Sequence, residues 1–197
     1  PGSVTHISNG RFYLSRLADG GFLALHEYSA PTIWFNTNRN PLDFSAASAD
    51  EGWLTLRYRM LRWKLESEGL GNVRFVITES GIDGGVVPRP GPQGGGWRDF
   101  DSAEWKRIVG DYAEQMRWYL WQISHDPYVV GAVDFGFGTI DGKWDSFDLA
   151  QDPAMLARMI AKMRELPVGL ITEAEATPMP TPTPLPAPVT VPTDGPE

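Results

Sequence analysis

The stretch 73–81, VRFVITESG, decides the fold that this sequence predicts. Its first part, Val73 to Thr78, is a short apolar run of the kind that forms a buried strand. The chain then passes through Glu79 and enters a loop rich in glycine and proline, from Gly81 to Gly96. A strand with polar residues at its end, followed by a long loop and then a helix, is typical of a parallel α/β unit.

The same order occurs on both sides of this stretch. Upstream, the run from Phe22 to Tyr28 ends in LHEY and precedes a helix predicted for residues 53–67. Downstream, a strand predicted for residues 128–137 ends in VDFGFG, and Asp152-Pro153 opens a last helix. Since functional sites lie at the carboxyl ends of parallel strands, we expect the polar residues at these three strand ends to lie together.

The remaining segments complete a two-part organisation. One helix is predicted for residues 10–19, and another from Asp101, with Glu104 in a capping box, to about Ser124. The last helix is expected to bury the residues Met155, Leu156, Met159, Ile160 and Met163. Prolines alternating with threonines predict an extended tether to a further module. We therefore divide the chain into an α/β domain, 1–172, and a Pro/Thr-rich linker, 173–197.

Composition excludes several classes of protein. The chain has 197 residues, a net charge of −8 and no cysteine. The acidic balance argues against nucleic-acid binding, and the lack of cysteine excludes disulfides, thiol nucleophiles and cysteine metal sites. No apolar run reaches the roughly 20 residues of a membrane span. Three scattered histidines and isolated glycine clusters predict neither a metal site nor a nucleotide cofactor.

The beginning of the chain also carries an expectation. It starts with Pro1-Gly2, with no initiator methionine and no signal peptide. We interpret it as a processed product or a fragment of a longer protein.

Glu79 is the leading candidate for chemistry. A carboxylate fixed at the end of a strand and open to the mouth of a sheet suits a nucleophile or an acid/base group. A salt-bridged or capping glutamate is the alternative. On the preceding strand, alternation places His26 and Tyr28 on one face and Glu27 on the other. His26 and Tyr28 are therefore candidates to hydrogen-bond a carboxylate or a sugar hydroxyl. Glu27, at the same strand end, is a further candidate for substrate binding.

The eight tryptophans divide by their predicted location. Trp34, Trp97 and Trp144 lie on loops, where an indole ring can stack on the apolar face of a sugar. The tryptophans expected to serve packing lie on predicted helices: Trp53, Trp63, Trp105, Trp118 and Trp121.

These residues together resemble a known family. ALHEYSAPTIW (24–34), RYR (57–59), VITESGIDGG (76–85), GW (96–97) and GAVDFGFG (131–138) with the following Trp resemble the retaining glycoside hydrolases of the large (β/α)8-barrel clan. More closely, they resemble bacterial extracellular or envelope proteins that combine this barrel with a Pro/Thr-rich tail. The resemblance covers roughly residues 20–150.

The resemblance implies a fold and roles for the candidate residues. The three units correspond to strands six, seven and eight of the barrel, so the fold class is α/β, a partial (β/α)8 TIM barrel. Glu79 corresponds to the nucleophile of a double displacement, His26 and Tyr28 position it or the substrate, and Trp144 lines the −1 subsite. The implied partner is a carbohydrate, the implied location is secreted or cell-surface, and no cofactor is implied.

One family feature is missing. The family's acid/base glutamate follows an asparagine at the end of strand four, and this chain has no Asn-Glu pair. A retaining glycosidase needs two carboxyl groups roughly 5 Å apart. Three explanations are open: the partner lies upstream of Pro1, which we favour, Glu27 replaces it, or the chain is inactive.

Two other functions are open as well. One is a non-catalytic carbohydrate- or cell-wall-binding module. The other is a structural α/β remnant, which predicts that Trp34, Trp97 and Trp144 are all buried. A partial barrel would also leave strand edges unpaired and apolar surface exposed, so we expect the isolated chain to be marginally stable or oligomeric.

Overall fold

The structure, a computed structural model, contains a three-stranded parallel sheet with helices in the connections. The strands are β1 (Phe22–Ser29), β2 (Arg74–Ile82) and β3 (Val129–Asp134), in the spatial order β1-β2-β3. The described α-helices are α1 (Tyr58–Ser67), α2 (Tyr112–Ser124) and α3 (Pro153–Arg164), and short 3₁₀ helices cover Trp97–Phe100 and Leu149–Gln151. The mixed α/β class predicted from the sequence is confirmed. The structure describes residues 20–35, 54–85, 95–102, 106–107 and 110–166.

The pairing of β1 with β2 contains an irregularity beside Glu79. Leu25 is paired with Ile77 and His26 with Glu79, so β2 contains one extra residue, Thr78. Such a bulge redirects the side chains that follow it. The strand also continues to Ile82, beyond the end predicted at Thr78, because residues 80–82 pair with β1. Glu79 therefore lies within a strand rather than at a strand–loop boundary.

The two faces of the sheet differ in their cover. On one face the Glu27 carboxylate is completely buried and accepts hydrogen bonds from the start of α1 and from α2. On the other face Phe22 and His26 are exposed in the described part of the chain. We name the first the helix face and the second the open face. The predicted separation of His26 and Tyr28 from Glu27 is confirmed.

The core lies between the sheet and the helices. Apolar residues of β2 pack there with aromatic residues of α1 and α2, and burial of such side chains is the main source of stability. The Tyr58 ring, for example, contacts Phe75 and Tyr128 at centroid distances of 6.2 and 6.1 Å. The largest completely buried side chains include Trp118, Tyr119, Ile33, Leu65, Ile77 and Met116.

Helix α1 begins later than predicted. The expected helix covered 53–67, but Tyr58 is its first residue, and Leu56 before it has a φ of 62°. Glu27 accounts for this start, because its carboxylate accepts hydrogen bonds from the Leu56 and Tyr58 N–H groups at 2.9 and 3.1 Å. These are donors that a helix start leaves unsatisfied.

The helix predicted from Asp101 to Ser124 is not continuous. Gly110 has a φ of 78°, which interrupts the helix, and Asp111 then caps α2 by accepting a hydrogen bond from the Glu114 N–H at 3.0 Å. The predicted end at Ser124 is confirmed. Helix α3 packs on α2, and ion pairs such as Lys162–Glu114 at 2.8 Å join the two.

Strand β3 is shorter than predicted, and α3 begins where predicted. The strand ends at Asp134 instead of Phe137, because the backbone turns at Gly136, where a Cβ would lie 2.5 Å from the Phe147 carbonyl. Asp152 caps α3 by accepting a hydrogen bond from the Met155 N–H at 2.9 Å.

The buried side of α3 is only partly the predicted one. Met155 and Met159 are buried, whereas Ile160, expected to be buried, is exposed. The predicted helix 10–19 and the linker 173–197 lie outside the described residues.

Candidate functional site

The Glu79 carboxylate meets two residues of β1 on the open face. The Tyr28 hydroxyl donates a hydrogen bond to Oε2 of Glu79 at 2.7 Å, and Nδ1 of His26 lies 3.2 Å from the same oxygen. The register causes this meeting, since His26 is paired with Glu79 and Tyr28 with Gly81. The Glu79 side chain remains 35% exposed, so a solvent molecule or ligand can reach it.

The two oxygens of Glu79 have different surroundings. Oε2 has both contacts, whereas no hydrogen bond within the described residues reaches Oε1. Burial, and next the hydrogen bond to Glu79, raise the pKa of Tyr28 far above its usual value, so the phenol stays protonated and donates. Within the described residues, therefore, one oxygen is fixed and the other has no hydrogen bond that would keep it from acting on a bound molecule.

Aromatic side chains continue the site from Tyr28 to Trp144. The Phe135 ring contacts Tyr28 edge-on at 6.0 Å and Trp144 at 5.6 Å, and Trp144 also contacts Phe147 at 5.6 Å. We call the residues Tyr28, Phe135, Trp144 and Phe147 the aromatic platform. Trp144 is 51% exposed, so the platform offers an apolar surface connected to the Glu79 site. Such a surface can stack on a sugar ring.

The other two loop tryptophans are part of the core. Trp34 is buried and packs edge-on against Trp118 at 5.8 Å. Trp97 is buried, stacks on Tyr112 at 5.0 Å and donates a hydrogen bond from Nε1 to the Phe147 carbonyl at 2.9 Å. The prediction that they contact a ligand is not supported, because their rings already fill gaps in the core.

Three of the tryptophans predicted to serve packing lie on described helices. Trp118 is buried as expected, Trp121 is half-buried and contacts the His125 ring at 4.4 Å, and Trp63 is 73% exposed on α1. Trp53 and Trp105 lie outside the described residues.

Glu27 does not belong to the open-face site. Its carboxylate accepts hydrogen bonds from Leu56 N–H, Tyr58 N–H and the Tyr119 hydroxyl, on the helix face. Desolvation raises the pKa of Glu27 to about 7, although the Tyr119 hydrogen bond opposes the shift. The suggestions that Glu27 binds substrate or replaces the acid/base glutamate are therefore not supported, because a substrate on the open face cannot reach it.

Asp134 is the acidic residue that sequence reasoning did not select. It is the last residue of β3 and is paired with Ser80, the neighbour of Glu79. Its Oδ1 accepts a hydrogen bond from the Tyr112 hydroxyl at 2.5 Å, and its buried Oδ2 receives no hydrogen bond from the part of the chain that the structure describes. Burial raises the pKa of Asp134 to about 7. The sequence feature that could have identified Asp134 is its position at the end of a predicted strand, directly before Phe135 and Gly136.

Neither a metal site nor a membrane-spanning helix is found among the described residues. No three side chains of His, Asp or Glu come together there in a way that could hold a metal ion. The described helices are also too short or too polar to cross a membrane. Comparison with protein-family models, curated proteins and solved structures finds no match to this chain. Function is therefore inferred from the geometry around Glu79 and from the resemblance of the motifs.

Proposed function

We propose that this chain provides the nucleophile side of a retaining glycosidase site, on a sheet that is part of a (β/α)8 barrel. One observation supports the proposal above all. A partly exposed glutamate in the carboxyl-terminal half of a parallel strand is held by Tyr28 through one oxygen, and its other oxygen has no hydrogen bond within the described residues. A glycosidase nucleophile needs this arrangement, since one oxygen must attack while the other is held by hydrogen bonds.

The chemistry proposed for Glu79 is the first half of a double displacement. Oε1 attacks the anomeric carbon, and the bond from that carbon to the leaving oxygen breaks as the covalent ester forms. A second carboxyl group then delivers a proton to the leaving oxygen and later removes one from the attacking water. Among the described residues, the contacts of Glu79 are with Tyr28 and His26 and not with a second carboxyl group. We therefore propose that the acid is supplied by a part of the protein outside these residues.

The barrel is proposed from the arrangement of the sheet. Three parallel strands have α1 and α2 on one face, while the open face contains Glu79, His26 and Tyr28. Parallel sheets normally have both faces covered, and in a barrel the face without helices becomes the interior. The proposed location, secreted or cell-surface, is supported by the Pro/Thr-rich composition of residues 173–197.

Binding of carbohydrate without hydrolysis is the second candidate. The observation that favours it is the aromatic platform, because the exposed face of Trp144 can hold a sugar whether or not a second carboxyl group is present. A purely structural role is less well supported, because it predicted that Trp34, Trp97 and Trp144 are all buried, and Trp144 is not.

Activated substrates test the catalytic proposal with this chain alone. A 2,4-dinitrophenyl glycoside loses its phenolate without a proton donor, so formation of the glycosyl ester depends on the nucleophile and not on the missing acid. Water then hydrolyses the ester slowly without a general base, which returns Glu79 for the next turnover. For a panel of such glycosides we expect Glu79→Gln to lower turnover at least about 100-fold. Glu66→Gln, which alters an exposed carboxylate of α1, is the matched control and should retain turnover. Equal turnover in Glu79→Gln and the original chain would contradict the proposal.

A further inference from the structure

Side chains from three elements border Gly81, two residues after Glu79. A Cβ at Gly81 would lie 2.9 Å from the Tyr112 hydroxyl, 3.4 Å from Oδ1 of Asp134 and 4.0 Å from Cε1 of Tyr28. Gly81 also has a φ of 148°, in the region that favours glycine. Because Gly81 has no side chain, the Tyr112 hydroxyl, Oδ1 of Asp134 and the edge of the Tyr28 ring border the same small space.

The end of β3 is also attached to the end of β2. The Phe135 N–H donates a hydrogen bond to the Ser80 carbonyl at 2.9 Å, and the Ser80 hydroxyl donates one to the Val133 carbonyl at 3.0 Å. The Phe135 ring then packs on Tyr28. Asp134 lies between Val133 and Phe135, which make these hydrogen bonds to β2. It is therefore linked to Tyr28 indirectly, through the Phe135 ring and across the space at Gly81.

The Asp134 carboxyl has an incomplete set of partners. The Tyr112 hydroxyl of α2 donates a hydrogen bond to Oδ1, while Oδ2 is buried and makes no hydrogen bond with any described residue. No cationic side chain among the described residues contributes to the charge balance of this carboxyl. A buried charge with one unsatisfied oxygen is costly, whereas the neutral acid is tolerated at the same place.

We infer that Asp134 is a positioning residue of the Glu79 site: with Tyr112 it holds Tyr28 against the Glu79 carboxylate, and it does so in its neutral form. The inference rests on the proposed function, because it assigns to Asp134 a part in keeping the nucleophile in place. Asp134 does not touch the substrate, since its carboxyl is buried.

The charge state of Asp134 affects the site through Tyr28. The groups that act on Tyr28 are Glu79 and Asp83 from β2 and the turn after it, and Asp134 from β3. Tyr112 from α2 is the remaining titratable group that faces Asp134. When Asp134 ionises, another negative charge is added beside Tyr28, which already binds the Glu79 carboxylate. Like charges near one donor repel each other, so ionisation should loosen the Tyr28–Glu79 contact.

Asp134→Asn separates this role from simple stabilisation. Asparagine keeps an oxygen for the Tyr112 hydroxyl and cannot ionise. Asp126→Asn is the matched control, because Asp126 also accepts a hydrogen bond from a tyrosine, Tyr58, at 2.5 Å, but lies at the amino end of β3. Both variants are to be made in the 197-residue chain, labelled with ¹³C at the tyrosine Cζ.

The first readout is independent of activity. In the unmodified chain we expect the Tyr28 Cζ resonance to shift with a midpoint near the pKa of about 7 assigned to Asp134. The shift should be absent in Asp134→Asn and present in Asp126→Asn. A Tyr28 resonance that titrates identically in Asp134→Asn and the unmodified chain would overturn the inference.

The second readout is turnover of a 2,4-dinitrophenyl glycoside as a function of pH. We expect turnover by the unmodified chain to fall about tenfold between pH 6 and pH 8, and turnover by Asp134→Asn to stay nearly constant. An unchanged fall in Asp134→Asn would overturn the inference while leaving the proposed function intact. The opposite result is a Tyr28 resonance that titrates with Asp134 in a chain that turns over no glycoside. It would support the Asp134–Tyr28 inference and contradict the proposed glycosidase function.

Discussion

Tyr28 contributes more than His26 to the position of the Glu79 carboxylate. The Tyr28 hydroxyl is the closer partner, at 2.7 Å against 3.2 Å, and it is protonated at every physiological pH because its pKa is raised. His26 is 55% exposed, so water competes for its ring nitrogen. Hydrogen bonds to charged groups are stronger when water is excluded.

A prediction for Tyr28 follows from this difference. Tyr28→Phe removes the donor and keeps the ring of the aromatic platform, so we expect turnover of a dinitrophenyl glycoside to fall about tenfold or more. His26→Asn should have a smaller effect, because its contact is longer and more exposed. Initial rates at saturating substrate measure the comparison. A larger loss in His26→Asn than in Tyr28→Phe would contradict the assignment.

Sequence reasoning at the residue scale identified the residues that meet at Glu79 but not all of their surroundings. Alternation along β1 was enough to separate His26 and Tyr28 from Glu27, because strand side chains point to opposite faces. It could not show that Trp34 and Trp97 are buried, since this depends on Trp118 and Tyr112, which are distant in sequence. Asp134 was missed because its proximity to Tyr28 depends on the space beside Gly81, which exists only in the folded chain.

At the scale of elements, the sequence predicted a helix start correctly where the capping residue and the N–H group that it binds are close in the chain. Asp152 followed by Pro153 marks the start of α3 correctly, because the cap and the N–H it binds are three residues apart. The predicted start of α1 was wrong because the N–H groups at the observed start are bound by Glu27, which lies 29 residues before Leu56. The break at Gly110 was missed because the helical pattern on both sides outweighed a single glycine.

The bulge in β2 is the element-scale feature with the greatest functional consequence. If Thr78 were paired as in a regular strand, strict alternation would place Glu79 on the same face as Phe75 and Ile77, toward the helices. With it, Glu79 reaches the open face beside His26. A bulge depends on pairing with neighbouring strands, which explains why the sequence alone did not predict it.

At the scale of the whole molecule, two buried carboxyl groups give stability a defined pH dependence. The pKa of Glu27 rises from 4.5 to about 7 and that of Asp134 from 3.8 to about 7, mainly through desolvation. Since both folded-state values exceed the unfolded ones, the folded chain binds more protons between about pH 4 and pH 7. The free energy of unfolding therefore falls as the pH rises through this window.

Urea unfolding followed by tryptophan fluorescence measures this dependence. We expect the free energy of unfolding to be lower at pH 8 than at pH 5.5, by on the order of 1–3 kcal/mol. Asp134→Asn should reduce the difference, because one of the two groups no longer titrates. Greater stability at pH 8 than at pH 5.5 would contradict the pKa shifts of Glu27 and Asp134.

The open face explains why sequence reasoning reached the mixed α/β class but not a complete architecture. Three parallel strands and their order follow from repeated strand–loop–helix units, and the structure has them. Exposed apolar residues such as Phe22 and Val133 remain on this sheet. Further strands would have to pair with the edges of this sheet, and no local sequence pattern in residues 20–166 encodes such pairing. The barrel is therefore proposed from the open face and not from a sequence pattern.

Trapping of a covalent intermediate tests the central claim, that Glu79 is a glycosidase nucleophile, most directly. The chain is incubated with 2,4-dinitrophenyl 2-deoxy-2-fluoroglycosides, whose intermediates hydrolyse slowly, and is then analysed by intact mass and peptide mapping. We predict a mass increase of one fluoroglycosyl group, located on Glu79 and absent from Glu79→Gln. A label on another carboxylate, or no label with any sugar of the panel, would contradict the claim.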